Sequence, residues 1–372
     1  MANSDYIPKD GRQHHRQLLL PQIPSNNSNF PLLKLFSMAI MSFENLQYSA
    51  LRVIINAWLY LLRNSCVSPG TQPNEIKTIA GRKDLFRGRI FTPPHTKYSQ
   101  DKLPLVICVH GGGFVVNNPS GDDRMARHIS DKAGCVAVSI DYRKAPQAKF
   151  PCAYEDVIEQ TLSIINDPDL CHDPSRVVLI GASAGGNLVL AAAQHPKLRD
   201  RIAGVITLYP ACDFGPSCDE RMATRPDPSI PDCLGDKVTS IRELYLGSSN
   251  PTKVSLQDPR LSPTYFESRD HLPENMLFVG AEHDLLCHEA EVMADKLAAA
   301  GHVAKTKTEH GWKAGGVQWH KAKDQLHAFD HFPEKKKERE ENRRIVRLAT
   351  YDMFCDWLDD LFDERSEKPL TV

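Results

Sequence analysis

Several things are scarce in this chain of 372 residues, and each shortage excludes something. Excess charge of one sign is missing. With 45 basic against 47 acidic residues, no global field draws the protein to nucleic acid or to an anionic membrane surface. Uninterrupted hydrophobic runs are missing too. The apolar stretch over residues 46–62 is broken by Arg52 and Asn56, and it falls short of the ~20 residues that a membrane span needs. The first 17 residues hold no apolar run, so no secretory signal is expected there. The ten cysteines include no C-x-x-C pair and follow no regular framework. Cys66, Cys108, Cys135 and Cys287 fall in or beside expected core segments. They read as reduced thiols of a cytoplasmic protein, not as disulfides. Cys212, Cys218 and Cys233 lie close in sequence, but no histidine completes a metal pattern, and no metal is expected. Neither a phosphate loop of the form G-x-x-x-x-G-K-S/T nor a complete dinucleotide fingerprint occurs, and there are no internal repeats.

What is present is a run of short apolar segments separated by helical ones. Strands are expected near residues 76–79, 85–91, 105–109, 135–140, 177–180, 202–208, 276–279 and 317–321. Helices are expected around 122–132, 154–166, 184–193 and 289–300. This alternation predicts an α/β fold, with a mostly parallel eight-stranded sheet covered by helices on both faces. Residues 76–213 and 260–372 form the two parts of that core. Two segments break the pattern. Residues 1–75 hold a polar arm of about 30 residues, two apolar helices (32–36 and 46–62) and a linker. Residues 214–259 are rich in Pro, Asp and Ser, with one helix over 237–246. Both are expected above the carboxyl ends of the strands, jointly forming a helical lid. In the tail, a dense charge run reads as a solvated helix face, and Ile345, Leu348, Phe354, Leu358 and Leu361 follow a helical spacing.

The chemistry gathers around one stretch. Val177–Ile180 is a buried-strand pattern, Gly181-Ala182-Ser183-Ala184-Gly185 fits G-x-S-x-G, and Ala- and Leu-rich helical sequence follows. Such a turn is too sharp for side chains two residues either side of the serine. It exposes Ser183 at the strand end, against a helix N-terminus whose N–H groups suit a developing oxyanion. A serine nucleophile needs a base, and the base an orienting acid. Upstream, His110-Gly111-Gly112-Gly113 follows a strand and has the form of an oxyanion loop of esterases and lipases. For the acid, Asp284 lies just past the strand at 276–279, with Glu282 as its rival. For the base, His327 falls in the loop after the last strand. His310 is the second candidate, His320 lies inside that strand, His302 precedes it, and His331 completes the candidates.

These segments together resemble the hormone-sensitive-lipase-like branch of the α/β-hydrolase superfamily, most closely its fungal members. The segments that carry the resemblance are residues 110–114, 141–146, 181–187, 258–263, 280–286 and 327–329. It implies an α/β-hydrolase fold, a triad of Ser183, Asp284 and His327, oxyanion donors at Gly112, Gly113 and Ala184, and a lid built partly from the N-terminus. Two departures stand out. Ala182 replaces the acidic residue common before the nucleophile, and the segment 312–324 is expanded. The expected activity is that of a serine carboxylesterase acting on a short-chain acyl ester, acetyl included, of a small molecule, with a place in secondary metabolism. No cofactor is needed. An amide hydrolase with the same triad, or a binder that does not hydrolyse, are the competing expectations.

Overall fold

The computed structural model describes residue 50 and residues 52–57, 70–79, 87–94, 102–235, 237–247 and 254–366. The expected helix at 32–36, most of the 46–62 helix and Cys66 lie outside the described residues. Within them, ten strands form one sheet in the order β1-β2-β4-β3-β5-β6-β7-β10-β9-β8. The strands are β1 Glu75–Thr78, β2 Arg87–Phe91, β3 Leu103–Val109, β4 Val136–Ile140, β5 His172–Ala182, β6 Gly204–Leu208, β7 Asn275–Ala281, β8 Thr306–Thr308, β9 Gly311–Ala314 and β10 Val317–Ala322. The six from β4 to β10 in that order run parallel, with antiparallel pairs at both edges. The eight expected strands are all present. The sheet is wider by two because β8 and β9 add a hairpin at one edge. Thr306–Thr308 is polar and mostly exposed, so no apolar alternation marks it.

Strand periodicity divides the core. Along β3, Leu105, Ile107 and Val109 face one side, while Val106 and Cys108 face the other. The first side is covered by α2 Cys152–Ile165, α3 Ala184–Ala193 and α6 Cys287–Ala300. The second is covered by α1 Asp123–Ala133 and α7 Lys337–Ser366. Parallel strands buried on both faces read as continuous apolar runs, which is why Val177–Ile180 stood out. In α7 the buried apolar set is Tyr351, Phe354, Cys355, Trp357, Leu358, Leu361 and Phe362. Ile345 and Leu348 depart from expectation: they are 62% and 51% exposed, while Val346 between them packs against the core.

The 214–259 insert carries α4 Cys218–Ala223, capped by reciprocal bonds between Ser217 and Glu220, and α5 Lys237–Leu246. Tyr245 of α5 is buried, stacked on Phe114 at 4.0 Å between ring centres and set edge-on to Phe150. Such ring pairs contribute about 0.5–1.5 kcal/mol each beyond area burial. They pin α5 against the loop that follows β3. All nine cysteines among the described residues are free thiols. No described helix is long and apolar enough to cross a membrane.

Candidate active site

Ser183 leaves the end of β5 with φ 53° and ψ −118°, and α3 starts at the next residue. A non-glycine residue in that region costs of order 1–3 kcal/mol. The surroundings hold it there. The Ser183 N–H donates to the Leu208 carbonyl at 2.9 Å, and its carbonyl accepts from Asn187 at 3.1 Å. The flanking glycines are demanded by close approach. A Cβ on Gly181 would lie 2.3 Å from the Gly185 carbonyl oxygen, and one on Gly185 would lie 1.9 Å from that of Val109. The motif spacing therefore records backbone crossing backbone.

Two loops bring partners to the serine. His327, beyond β10, places Nε2 2.9 Å from Ser183 Oγ and Nδ1 2.8 Å from Asp284 Oδ2. Asp284, beyond β7, also accepts from the Leu286 N–H at 3.0 Å. Both side chains are buried. Burial disfavours the imidazolium, but the charge and hydrogen bond of Asp284 outweigh it, and the His327 pKa is raised above the ordinary 6.5. Burial pushes the Asp284 carboxyl up, against the pull of His327. With Asp284 accepting at Nδ1–H, Nε2 is the basic nitrogen facing the serine.

The loop 110–117 runs alongside. Gly113 and Ala184 line the same pocket as Ser183. Gly112, at φ 126°, turns the chain, and its carbonyl accepts from Val115 and Val116. His110 lies beneath, stacked 4.5 Å from Tyr142, with Nδ1 bonded to the Gly111 carbonyl at 2.7 Å. Burial and the neighbouring Lys144 lower its pKa, against the pull of Asp141. Nε2 meets Asp141 at 3.0 Å and Lys144 at 3.3 Å. The two polar residues that interrupt the N-terminal apolar stretch belong here as well. Arg52 donates to the Ala145 carbonyl at 2.7 Å, and Asn56 accepts from the Asn117 N–H at 2.8 Å.

The rivals lie elsewhere. Glu282 is bound to Lys323 at 2.6 Å and to the Asp324 N–H at 3.0 Å, away from the serine. His310 occupies the β8–β9 turn, with its ring 5.6 Å from that of His320. Three supporting residues were not singled out from the sequence. Asp232 of the insert accepts from the Leu285 N–H at 2.9 Å and so ties the insert to the acid loop. Asp330 accepts from Tyr209 and from Tyr351, and the Tyr209 ring packs 4.7 Å from His327. Glu289 of α6 pairs with Arg221 at 2.8 Å and accepts from the Cys212 N–H. Asp330 directly follows the segment 327–329 that carries the resemblance. The other two lay within acid-rich sequence with nothing to mark them.

The family profile described as alpha/beta hydrolase fold matches residues 106–315, over half of the chain. The chain belongs to the α/β-hydrolase fold family. Family members of known name resemble it over most of this core. A Mycobacterium tuberculosis protein named as an acetyl-hydrolase, LipR, is 33% identical over 229 residues, 61% of this chain and 67% of its own. A versiconal hemiacetal acetate esterase of the fungus Dothistroma septosporum is 27% identical, over 68% of this chain and 77% of its own. Among solved structures, a hyperthermophilic esterase from the archaeon Pyrobaculum calidifontis superposes with a TM-score of 0.67 at 23% identity, covering 84% of this chain and 91% of its own. That likeness is one of fold.

Proposed function

We propose that this α/β hydrolase is a serine carboxylesterase that removes a short acyl group from a small-molecule ester. One observation carries the reading: Ser183, His327 and Asp284 are joined by hydrogen bonds of 2.9 and 2.8 Å. In the proposed cycle, Ser183 Oγ attacks the ester carbonyl while its proton passes to His327 Nε2. The oxyanion accepts from backbone N–H groups of Gly112, Gly113 and Ala184. Collapse expels the alcohol, which takes the proton from Nε2, and leaves an acyl-serine. Water, deprotonated by the same nitrogen, then attacks, releasing the carboxylic acid and restoring Ser183. Asp284 holds the imidazole orientation and balances its transient charge.

The acyl group is proposed to be as small as acetyl. The pocket beside Ser183 has a volume of about 60 Å³ and is mostly apolar, with Phe114, Ala211, Phe214, Val238 and Leu286 on its walls. The names of the bacterial and fungal relatives both mention acetyl esters or acetyl groups. A place in secondary metabolism is proposed with it on the fungal likeness alone. A cytosolic site of action belongs to the same proposal, supported by the unpaired thiols. The insert and the N-terminal segment are proposed to act as a lid, a reading supported by α5 residues on the pocket wall. The test is a panel of p-nitrophenyl esters from acetate to octanoate. Turnover falling with chain length, and lost in Ser183→Ala with the fold intact, is expected. Equal turnover in Ser183→Ala would overturn the reading.

A further inference from the structure

Three charged residues reach the otherwise apolar pocket beside Ser183: Asp213, Arg221 and Arg242. Two of them are committed to the protein. Asp213 accepts from the Gly215 N–H at 2.8 Å and from the Tyr265 hydroxyl at 3.2 Å. Arg221 is buried, paired with Glu289, and donates to the carbonyls of Pro216 and Asp213. Arg242 differs. Among the described residues, its half-buried guanidinium makes one long bond, 3.4 Å, to the Phe214 carbonyl. A guanidinium carries five donors in a fixed fork, so most of this one's hydrogen-bonding capacity is unspent.

Its place in the helix is not incidental. Val238, Ile241 and Arg242 stand at i, i+3 and i+4 of α5, and all three line the pocket. Ile241 lies against Gly113, so close that a Cβ there would come within 2.9 Å of it. The same helix face thus covers the oxyanion loop and offers the fork to whatever occupies the pocket. A cation held in apolar surroundings with free donors favours an anionic group that can take two parallel bonds.

We infer that Arg242 forms an anion subsite, and that the preferred substrate is an ester bearing a carboxylate elsewhere in the molecule. This rests on the serine-esterase reading and specifies its substrate class. The carboxylate belongs to either the acyl or the alcohol portion, and matched substrates separate the two. The first pair is a p-nitrophenyl monoester of glutaric acid against p-nitrophenyl pentanoate. The second is the acetate of a hydroxybenzoate against phenyl acetate.

The quantity read is the ratio of kcat/KM for the charged ester to that for its neutral partner. The wild type should favour the charged member of one pair. Arg242→Ala should reduce that ratio by about 10- to 100-fold, the scale of a charge-assisted bond, mainly through KM. Arg242→Glu should reduce it further, and Arg242→Lys should retain part of it. Ratios unchanged in all three variants would overturn the inference, as would a wild type that favours the neutral ester in both pairs. Because the ratio is taken within one variant, a general loss of folded protein cancels. Failure of the parent reading looks different: Ser183→Ala would then hydrolyse the neutral esters as well as the wild type does.

Discussion

Ser183 is held in a strained backbone conformation by neighbours that leave no room for side chains at Gly181 and Gly185. Its proposed base is distinguished from the other histidines by geometry alone. His327→Ala is therefore expected to lower kcat by on the order of 10⁴-fold, while His310→Ala, in the distant hairpin turn, leaves kcat/KM unchanged. The reverse ranking in steady-state assays would reassign the base. The pH profile follows from the same residues. The base must be neutral to accept a proton, and the Asp284 charge raises its pKa above 6.5 despite burial. The rate kcat/KM should therefore fall as pH drops through a midpoint above 6.5. Asp284→Asn removes that charge and should shift the limb to lower pH as well as slow the reaction. A limb unmoved in Asp284→Asn would show that another group controls it. Both residues were legible beforehand because each stands just past a strand end, where side chains reach over the sheet. Arg242 was not, since nothing in Ser-Ile-Arg-Glu-Leu distinguishes a pocket arginine from a solvated one.

At the scale of elements, the strands were legible where burial on both faces makes a continuous apolar run, as in β3 and β5. The edge hairpin was not. Thr306–Thr308 is an exposed polar strand that owes its conformation to pairing with β9, a non-local contact. Ile345 and Leu348 misled in the opposite sense, because an apolar residue on a helix need not face the core. The proposed lid gains support from two of its parts. The α5 face lies on the pocket, and Arg52 and Asn56 bond to the chain at Ala145 and Asn117, beside the proposed oxyanion loop. Deleting residues 1–62 should therefore raise KM for longer acyl esters more than for acetate, at ~0.8 kcal/mol for each CH₂ left unburied. An unchanged chain-length profile, with full-length protein alone pelleting on membranes, would favour an anchor over a lid.

At the scale of the whole molecule, the site exists only because the sheet order brings distant segments together. Ser183 and His327 are 144 residues apart in sequence, and His327 and Asp284 are 43 apart. Adjacent parallel strands β5, β6, β7 and β10 deliver them to the same edge. An unfolded chain keeps the serine but loses the base, so Ser183 should be reactive in the native state alone. The most direct measurement is labelling with a p-nitrophenyl alkylphosphonate, read by peptide mass spectrometry alongside esterase activity. The expected result is one adduct per native chain, on Ser183, with activity lost in proportion to labelling, and no adduct in urea or in His327→Ala on the same timescale. Full activity in protein completely labelled at Ser183, or inactivation with the adduct on another residue, would contradict the assignment.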